Sequence, residues 1–255
     1  VIADASLLAF ADRGMYMADE DFVPMPTQGL LDKEYLKQRA ELIKPGKALT
    51  QASAGTPPWQ YALQQSPDES IELPSTSHFN VVDKQGNVVS MTTTIENAFG
   101  SRLMVDGFLL NNELTDFSFR THNEGRPIAN RLEPGKRPRS SMAPTIIMKE
   151  GQPYMAIGSP GGSRIIGYVA QAIISHVQWG MNIQQATNQP HILNRFGTVD
   201  IEQGTYAESF KAPLEKMGFK VNVRDLNSGI HAILLQASQL QGSADPRREG
   251  VAIGQ

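Results

Sequence analysis

Four clusters of residues have the types and spacing to do chemistry. In Pro74-Ser75-Thr76-Ser77-His78 a proline-rich stretch meets a run of β-favouring residues. Ordinary β-propensity accounts for a threonine there. If the Ser75–Thr76 bond were cut, however, Thr76 would become N-terminal and carry its own general base, the free α-amine, with no need for a histidine. Gly158-Ser159-Pro160-Gly161-Gly162-Ser163 places adjacent glycines where a strand gives way to a helix. That is either a tight turn or a place where backbone N–H groups at a positive dipole end stabilise an oxyanion. Arg137-Pro138-Arg139-Ser140-Ser141-Met142 sets two hydroxyls beside basic residues, which suits a carboxylate as well as a solvated loop. Asn111-Asn112-Glu113-Leu114-Thr115-Asp116-Phe117 sets two carboxylates three residues apart, able to receive an ammonium group or simply to make an asparagine-rich turn. Taken together, a nucleophile, oxyanion donors, a carboxylate holder and an ammonium holder describe a site for an amino-acid-like acyl donor.

Composition removes competing chemistries. The 255 residues are 40% hydrophobic and 19% charged, enough for one packed domain or two small ones, and not a disordered or fibrous chain. Lys plus Arg is 23 against 26 Asp plus Glu, a net charge of -3, so no basic excess points to nucleic acid or an anionic membrane. There is no cysteine, hence no disulfide, thiolate nucleophile or Cys-based metal site. The histidines at 78, 122, 176, 191 and 231 form no HxxxH or HxH pair, so no metal is expected. The glycine turn lacks the Gly-Lys-Ser/Thr ending of a phosphate loop and the third glycine of a dinucleotide fold. No apolar run reaches the ~18 residues of a membrane span, which predicts a soluble protein. The chain opens Val1-Ile2-Ala3-Asp4, without an initiator Met or a basic-then-apolar leader, and reads as a fragment or a matured piece.

The elements that must position these clusters follow from periodicity. Leu7, Phe10, Ala11 and Gly14 mark one face of a helix over residues 1 to 18. Asp32 caps a second helix carrying Tyr35, Leu36, Arg39, Ala40 and Ile43, which Pro45-Gly46 ends. Prolines 45, 57, 58, 67 and 74 make 44 to 75 a linker. Two hairpins follow, Phe79-Asn80-Val81-Val82 with Val88-Val89-Ser90-Met91, and Thr145-Ile146-Ile147-Met148 with Tyr154-Met155-Ala156-Ile157. Ile166, Val169, Ala170, Ile173 and Val177 share a face of the helix opened by the glycine turn. Shorter elements close the chain: strands near 198 to 202, 219 to 223 and 231 to 236, and a helix near 210 to 217. The expectation is α+β with largely antiparallel sheets.

Thr76-Ser77-His78-Phe79-Asn80-Val81-Val82-Asp83, with Gly86-Asn87 and Thr92-Thr93-Thr94, resembles the start of the small subunit of γ-glutamyltransferases, also called γ-glutamyl transpeptidases or glutathione hydrolases. The likeness continues through Leu110-Asn111-Asn112, Asp116-Phe117-Ser118, Lys136-Arg137-Pro138, Ser140-Ser141-Met142, Gly158 to Arg164 and Asp245-Pro246-Arg247. Residues 1 to about 48 resemble the tail of the large subunit. The resemblance implies an N-terminal-nucleophile hydrolase fold, a four-layer αββα sandwich, with 1–75 the large-subunit tail and linker and 76–255 the small, catalytic subunit. It implies self-cleavage between Ser75 and Thr76, attack by Thr76 on a γ-glutamyl amide such as glutathione, and release of the acyl group to water or an amino acid or peptide amine. In that assignment Thr94 orients Thr76, and Gly161 and Gly162 form the oxyanion hole. Ser140 and Ser141 hold the donor's carboxylate, while Glu96, Glu113 and Asp116 surround its ammonium. Other members carry Asn or Gln at positions 96 and 113, and an arginine of the large subunit that helps hold the carboxylate precedes this segment. Residues 117 to 139 are short for a member with a long lid, implying an open acceptor side. No cofactor is implied. The implied partner is the rest of the large subunit, with homo-oligomerisation possible, and the implied location is periplasmic or secreted. Relatives acting as cephalosporin acylases or in γ-polyglutamate processing share the scaffold, and an inactive, unprocessed homologue is a third reading.

Overall fold

The computed structural model describes residues 1–61, 65–68, 76–236 and 239–254. Helix α1 spans Ile2–Tyr16, α2 Thr27–Leu30 and α3 Lys33–Ala40. Strands β1 (Thr76–Val82) and β2 (Val88–Thr94) come next, then two small ribbons, β3 (Met104–Val105) with β4 (Phe108–Leu109) and β5 (His122–Asn123) with β6 (Arg126–Pro127). They are followed by β7 (Thr145–Lys149), β8 (Gln152–Gly158), α4 (Ile165–Val177), α5 (Ile183–Thr187), β9 (Ile192–Asn194) and β10 (Thr198–Glu202). Helix α6 (Lys211–Lys216), β11 (Lys220–Arg224), β12 (His231–Gln236) and β13 (Gln239–Ala244) complete the order. The chain divides into two compact units, each drawn from three stretches.

The first unit comprises Val1–Ile71, Leu114–Ser140 and Ile192–Arg224. Its α1 buries Leu7, Phe10 and Gly14 of the predicted face, leaves Ala11 half-buried, and also buries Leu8, Tyr16 and two carboxylates, Asp4 and Asp12. Burial of Asp12 is compensated by donors from separate segments: the Tyr35 hydroxyl at 2.7 Å, the Gly55 N–H at 2.8 Å and the Arg39 guanidinium at 3.1 Å. Asp32 caps α3 by accepting from the Tyr35 N–H. Of the face predicted for that helix only Tyr35 is buried, because its ring, and not a continuous stripe, meets α1 and the Gly55 backbone. Residues 45 to 61 contain no helix or strand and are nonetheless fastened, by Tyr16 Oη to the Gly55 carbonyl and by the Ala48 N–H to the Met217 carbonyl. A three-stranded sheet, β11-β10-β9, buries Val199 and Ile201 against Ala48, Ala207 and Phe219. Its β10–β11 pair is parallel and its β9–β10 pair antiparallel.

The second unit comprises Glu72–Glu113, Ser141–His191 and Asp225–Gln255. It is built on an antiparallel sheet in the order β13-β12-β8-β7. Met155, Ala156 and Ile157 of β8 are all fully buried, the pattern of a strand covered on both faces. Helices α4 and α5 cover one face and the β1–β2 hairpin the other, so this unit contains an α–β–β stack, three of the four layers expected. The hairpin turn is set by Asp83, whose carboxylate accepts from the Gln85 and Asn87 N–H groups, and by Gly86 at φ +85. Its alternation runs opposite to a simple hydrophobic-in pattern: Thr76, His78 and Asn80 lie on the more buried face, while Phe79, Val81, Val89 and Met91 are exposed.

Candidate active site

Thr76 heads β1, directly opposite Thr94 at the end of β2. Because side chains alternate along a strand, this register brings the two hydroxyls to one face, and a slip of one residue would separate them. The Thr76 hydroxyl donates to Thr94 Oγ1 at 3.4 Å, and the same oxygen accepts the Glu96 N–H at 2.9 Å. Glu96 leaves the strand at φ +70, a conformation disfavoured for a residue with a Cβ by about 1 to 2 kcal/mol. Its carboxylate is buried and accepts from Asn112 Nδ2, while Asn112 Oδ1 takes the Asn97 N–H and the Asn112 N–H bonds the Ile95 carbonyl. Thr76, Thr94 and Glu96 are thus joined, with Asn112 closing the turn behind them.

Two further residues hold this strand. Arg248 Nη1 donates to the Thr76 carbonyl at 3.3 Å, while its Nε and Nη2 donate to the side chain and carbonyl of Asn227. His78, on the same face as Thr76, is buried with its ring nitrogens against Thr92 Oγ1 (2.8 Å) and Asn80 Oδ1 (3.2 Å), and Asn80 in turn donates to the His231 carbonyl. Burial pushes the His78 imidazole down to about 4, so it is neutral near pH 7. A Cβ at Gly158 would lie 2.2 Å from the imidazole Cε1, so glycine at the end of β8 makes room for this ring. Neither residue stands out in sequence: 172 positions separate Arg248 from Thr76, and a lone histidine in a strand carries no spacing signal.

The glycine turn follows β8. Gly161 has φ +140 and Gly162 φ +58, and a Cβ on Gly161 would stand 2.6 Å from Tyr168 Cε2, so both backbone strain and packing require glycine at that position. Gly162 opens a 3-10 turn, Gly162–Arg164, that runs into α4. Both glycines are buried, and among the described residues neither N–H has an acceptor. Buried N–H groups at the start of a helix are suited to a developing negative charge. Arg248 Cδ and the Pro160 ring both pack on Gly229, so the strand of Thr76 and the glycine turn share a neighbour.

The other predicted residues are distributed as follows. Glu113 is half-buried in the second unit, its N–H bonded to Asn111 Oδ1, and Ser141 is buried in the same unit. Asp116 and Ser140 belong to the first unit. Asp116 is buried at the end of a 3-10 turn, its carbonyl accepting from Asn130 Nδ2, and Asn130 Oδ1 takes the Arg139 N–H next to the exposed Ser140. Ser75 lies outside the described residues. Among the described residues no group of three or more His, Cys, Asp or Glu could hold a metal ion, and no helix is long and apolar enough to cross a membrane.

The sheet-on-sheet stack, with mixed helices and largely antiparallel strands, is that of the N-terminal-nucleophile hydrolases, seen in the solved structures that resemble this chain. The sequence profile described as gamma-glutamyltranspeptidase matches residues 1–255, and the chain belongs to that family. It is 38% identical over 266 residues to the glutathione hydrolase proenzyme of Bacillus subtilis (strain 168), covering 100% of this chain and 44% of that protein. To the acylase ACY 1 proenzyme of Pseudomonas sp. (strain V22) it is 35% identical, covering 99% of this chain and 43% of that one. The crystal structure of a T380A mutant of Helicobacter pylori gamma-glutamyltranspeptidase is similar with a TM-score of 0.61 and 37% identity, covering 67% of this chain and 99% of that chain. The chain therefore spans less than half the length of those two proenzymes.

Proposed function

We propose that this chain carries the catalytic part of a γ-glutamyltransferase and glutathione hydrolase in which Thr76, freed by cleavage of the Ser75–Thr76 bond, is the nucleophile. The observation that carries the reading is the position of Thr76 at the head of β1 with its hydroxyl on Thr94, in a chain of this family. The α-amine of Thr76 takes the hydroxyl proton as its oxygen attacks the γ-carbonyl. The charge that develops falls to the N–H groups of Gly161 and Gly162, and the amine leaving group departs with the proton. Water or an amino-acid amine then attacks the γ-glutamyl ester carbonyl, giving its proton to the α-amine, and the Thr76 oxygen leaves and takes that proton back. Ser140 and Ser141 hold the donor's carboxylate, and Glu96, Glu113 and Asp116 its ammonium. Cleavage before Thr76 divides the chain covalently into 1–75, the tail of the large subunit with its linker, and 76–255, the small subunit, and does not follow the two compact units. The rest of the large subunit is the partner, and a periplasmic or secreted location fits.

Thr76→Ala in the full-length protein tests the reading: both chain cleavage, read by mass spectrometry, and turnover of γ-glutamyl-p-nitroanilide are expected to vanish, and survival of either contradicts it. A second reading, cephalosporin acylase, is favoured by the similarity to the acylase ACY 1 proenzyme. Assays with γ-glutamyl-p-nitroanilide and glutaryl-cephalosporanic acid side by side separate the two, and preference for the second substrate selects the acylase.

A further inference from the structure

Behind the glycine turn lies a buried polar chain that the proposed mechanism does not use. Tyr168, one of the largest fully buried side chains, packs its ring on Gly161 and lies tilted against the ring of His191, with centroids 4.2 Å apart. His191 Nε2 is 2.7 Å from Ser228 Oγ, and the Ser228 hydroxyl donates to Asp245 Oδ2. A hydroxyl has one proton, so with that proton on Asp245 the His191 Nε2 must be the donor to Ser228, which fixes the neutral tautomer. Asp245 is saturated: Oδ2 also takes the Ile230 N–H at 3.0 Å, and Oδ1 takes the Arg247 N–H and guanidinium. Burial disfavours its charge, but Ser228, Arg247 and the two N–H groups outweigh that and hold the carboxyl below its usual range.

Asp245, Ser228 and His191 look like a hydrolytic triad and are not one. The serine lies between the acid and the histidine, points its hydroxyl proton at the acid and not at the histidine, and is fully buried. What the chain does is join two ends. Ser228 sits between Asn227, which holds Arg248 on the Thr76 carbonyl, and Gly229, whose N–H bonds Ser159 Oγ and which packs on Pro160 just before the glycine turn.

We propose that His191 is a positioning residue: its N–H bond to Ser228, transmitted through the Tyr168 ring, sets where the Gly161 and Gly162 N–H groups stand relative to Thr76. This rests on the reading of Thr76 as nucleophile and those N–H groups as the oxyanion hole. Loss of the bond therefore costs transition-state stabilisation and leaves ground-state binding alone.

The test uses the full-length protein, with kinetics normalised to the fraction of molecules cleaved before Thr76. His191→Phe keeps an aromatic face against Tyr168 and removes the donor. Ser228→Ala deletes the acceptor. Each is expected to lower kcat for γ-glutamyl-p-nitroanilide roughly ten- to a hundredfold, with KM unchanged. The double variant should be no slower than Ser228→Ala, because that variant, which also loses the bond to Asp245, has already lost the His191 bond. Unchanged kcat in either single variant, a proportional rise in KM, or multiplying losses in the double variant would overturn the proposal. Ser228→Ala, which removes one oxygen, keeps the test decisive if the ring replacement does not fold. An inactive parent protein would instead indict the γ-glutamyl reading.

Discussion

One methyl group at Gly161 probes the chemistry at the residue scale. Gly161→Ala would put a Cβ 2.6 Å from the Tyr168 ring at φ +140, so the turn must move. Losing one oxyanion donor costs about 3 to 4 kcal/mol of transition-state stabilisation, and kcat is expected to fall at least a hundredfold while Thr76 stays in place. Near-normal kcat would remove the turn from the mechanism. Thr94 gives a second test. Thr94→Val keeps the shape but removes the oxygen that accepts from Thr76 and from the Glu96 N–H, whereas Thr94→Ser keeps it. Turnover by the serine variant should stay within a few-fold of the parent and that of the valine variant should drop tenfold or more, as measured by initial rates; equal rates would dismiss the hydroxyl. The junctions that carry Thr76 and the glycine pair were legible, a proline-rich stretch giving way to β-favouring residues in one case and adjacent glycines between a strand and a helix in the other. Arg248 and Asn227 were not, because their meaning comes from hydrogen bonds to residues that only the fold brings near.

The hairpin is the element on which the account depends; Asn80 bonds it to the His231 carbonyl of the four-stranded sheet, and the buried His78 ring packs on Gly158 of the same sheet. With a folded value of about 4 against an ordinary 6.5, the imidazole binds a proton in the unfolded chain before it does in the folded one. Stability from its burial is therefore present above pH 6.5 and declines as the pH falls towards 4. Urea unfolding at pH 7.5 and at pH 5 should show the parent losing stability in acid and His78→Gln losing less of it. An identical drop in both would mean that the ring is not buried neutral. The two long hairpins could be read from their turn residues and β-favouring runs, and the glycine-led helix from its apolar content, although α4 buries Ile165, Tyr168, Val169, Ala172 and Ser175 and leaves Ala170 and Val177 of the predicted face exposed. Strands β13 and β9 and helix α5 could not be read. Gln239-Leu240-Gln241-Gly242 is too polar to announce a strand and is held by pairing with β12, while α5 is five residues long and its one signal was the capping box of Asn182 and Gln185.

At the scale of the whole molecule, composition and family suffice for the fold class, while the two interleaved units were not legible, since each gathers stretches far apart in the chain. The outward face of the hairpin is apolar, with Phe79, Val81, Val89 and Met91 exposed and paired across the strands. An exposed apolar face of this kind drives association in water. Expressed alone, residues 1–255 should self-associate in gel filtration, and Phe79→Ser with Met91→Ser should relieve it; a clean monomer without those changes would contradict this. The central claim, a threonine that attacks and accepts the proton with its own amine, is tested most directly by sequencing the amino termini of an active preparation. The account predicts a new terminus reading Thr76-Ser77-His78-Phe79 in proportion to activity, and full activity from uncut chains would contradict it.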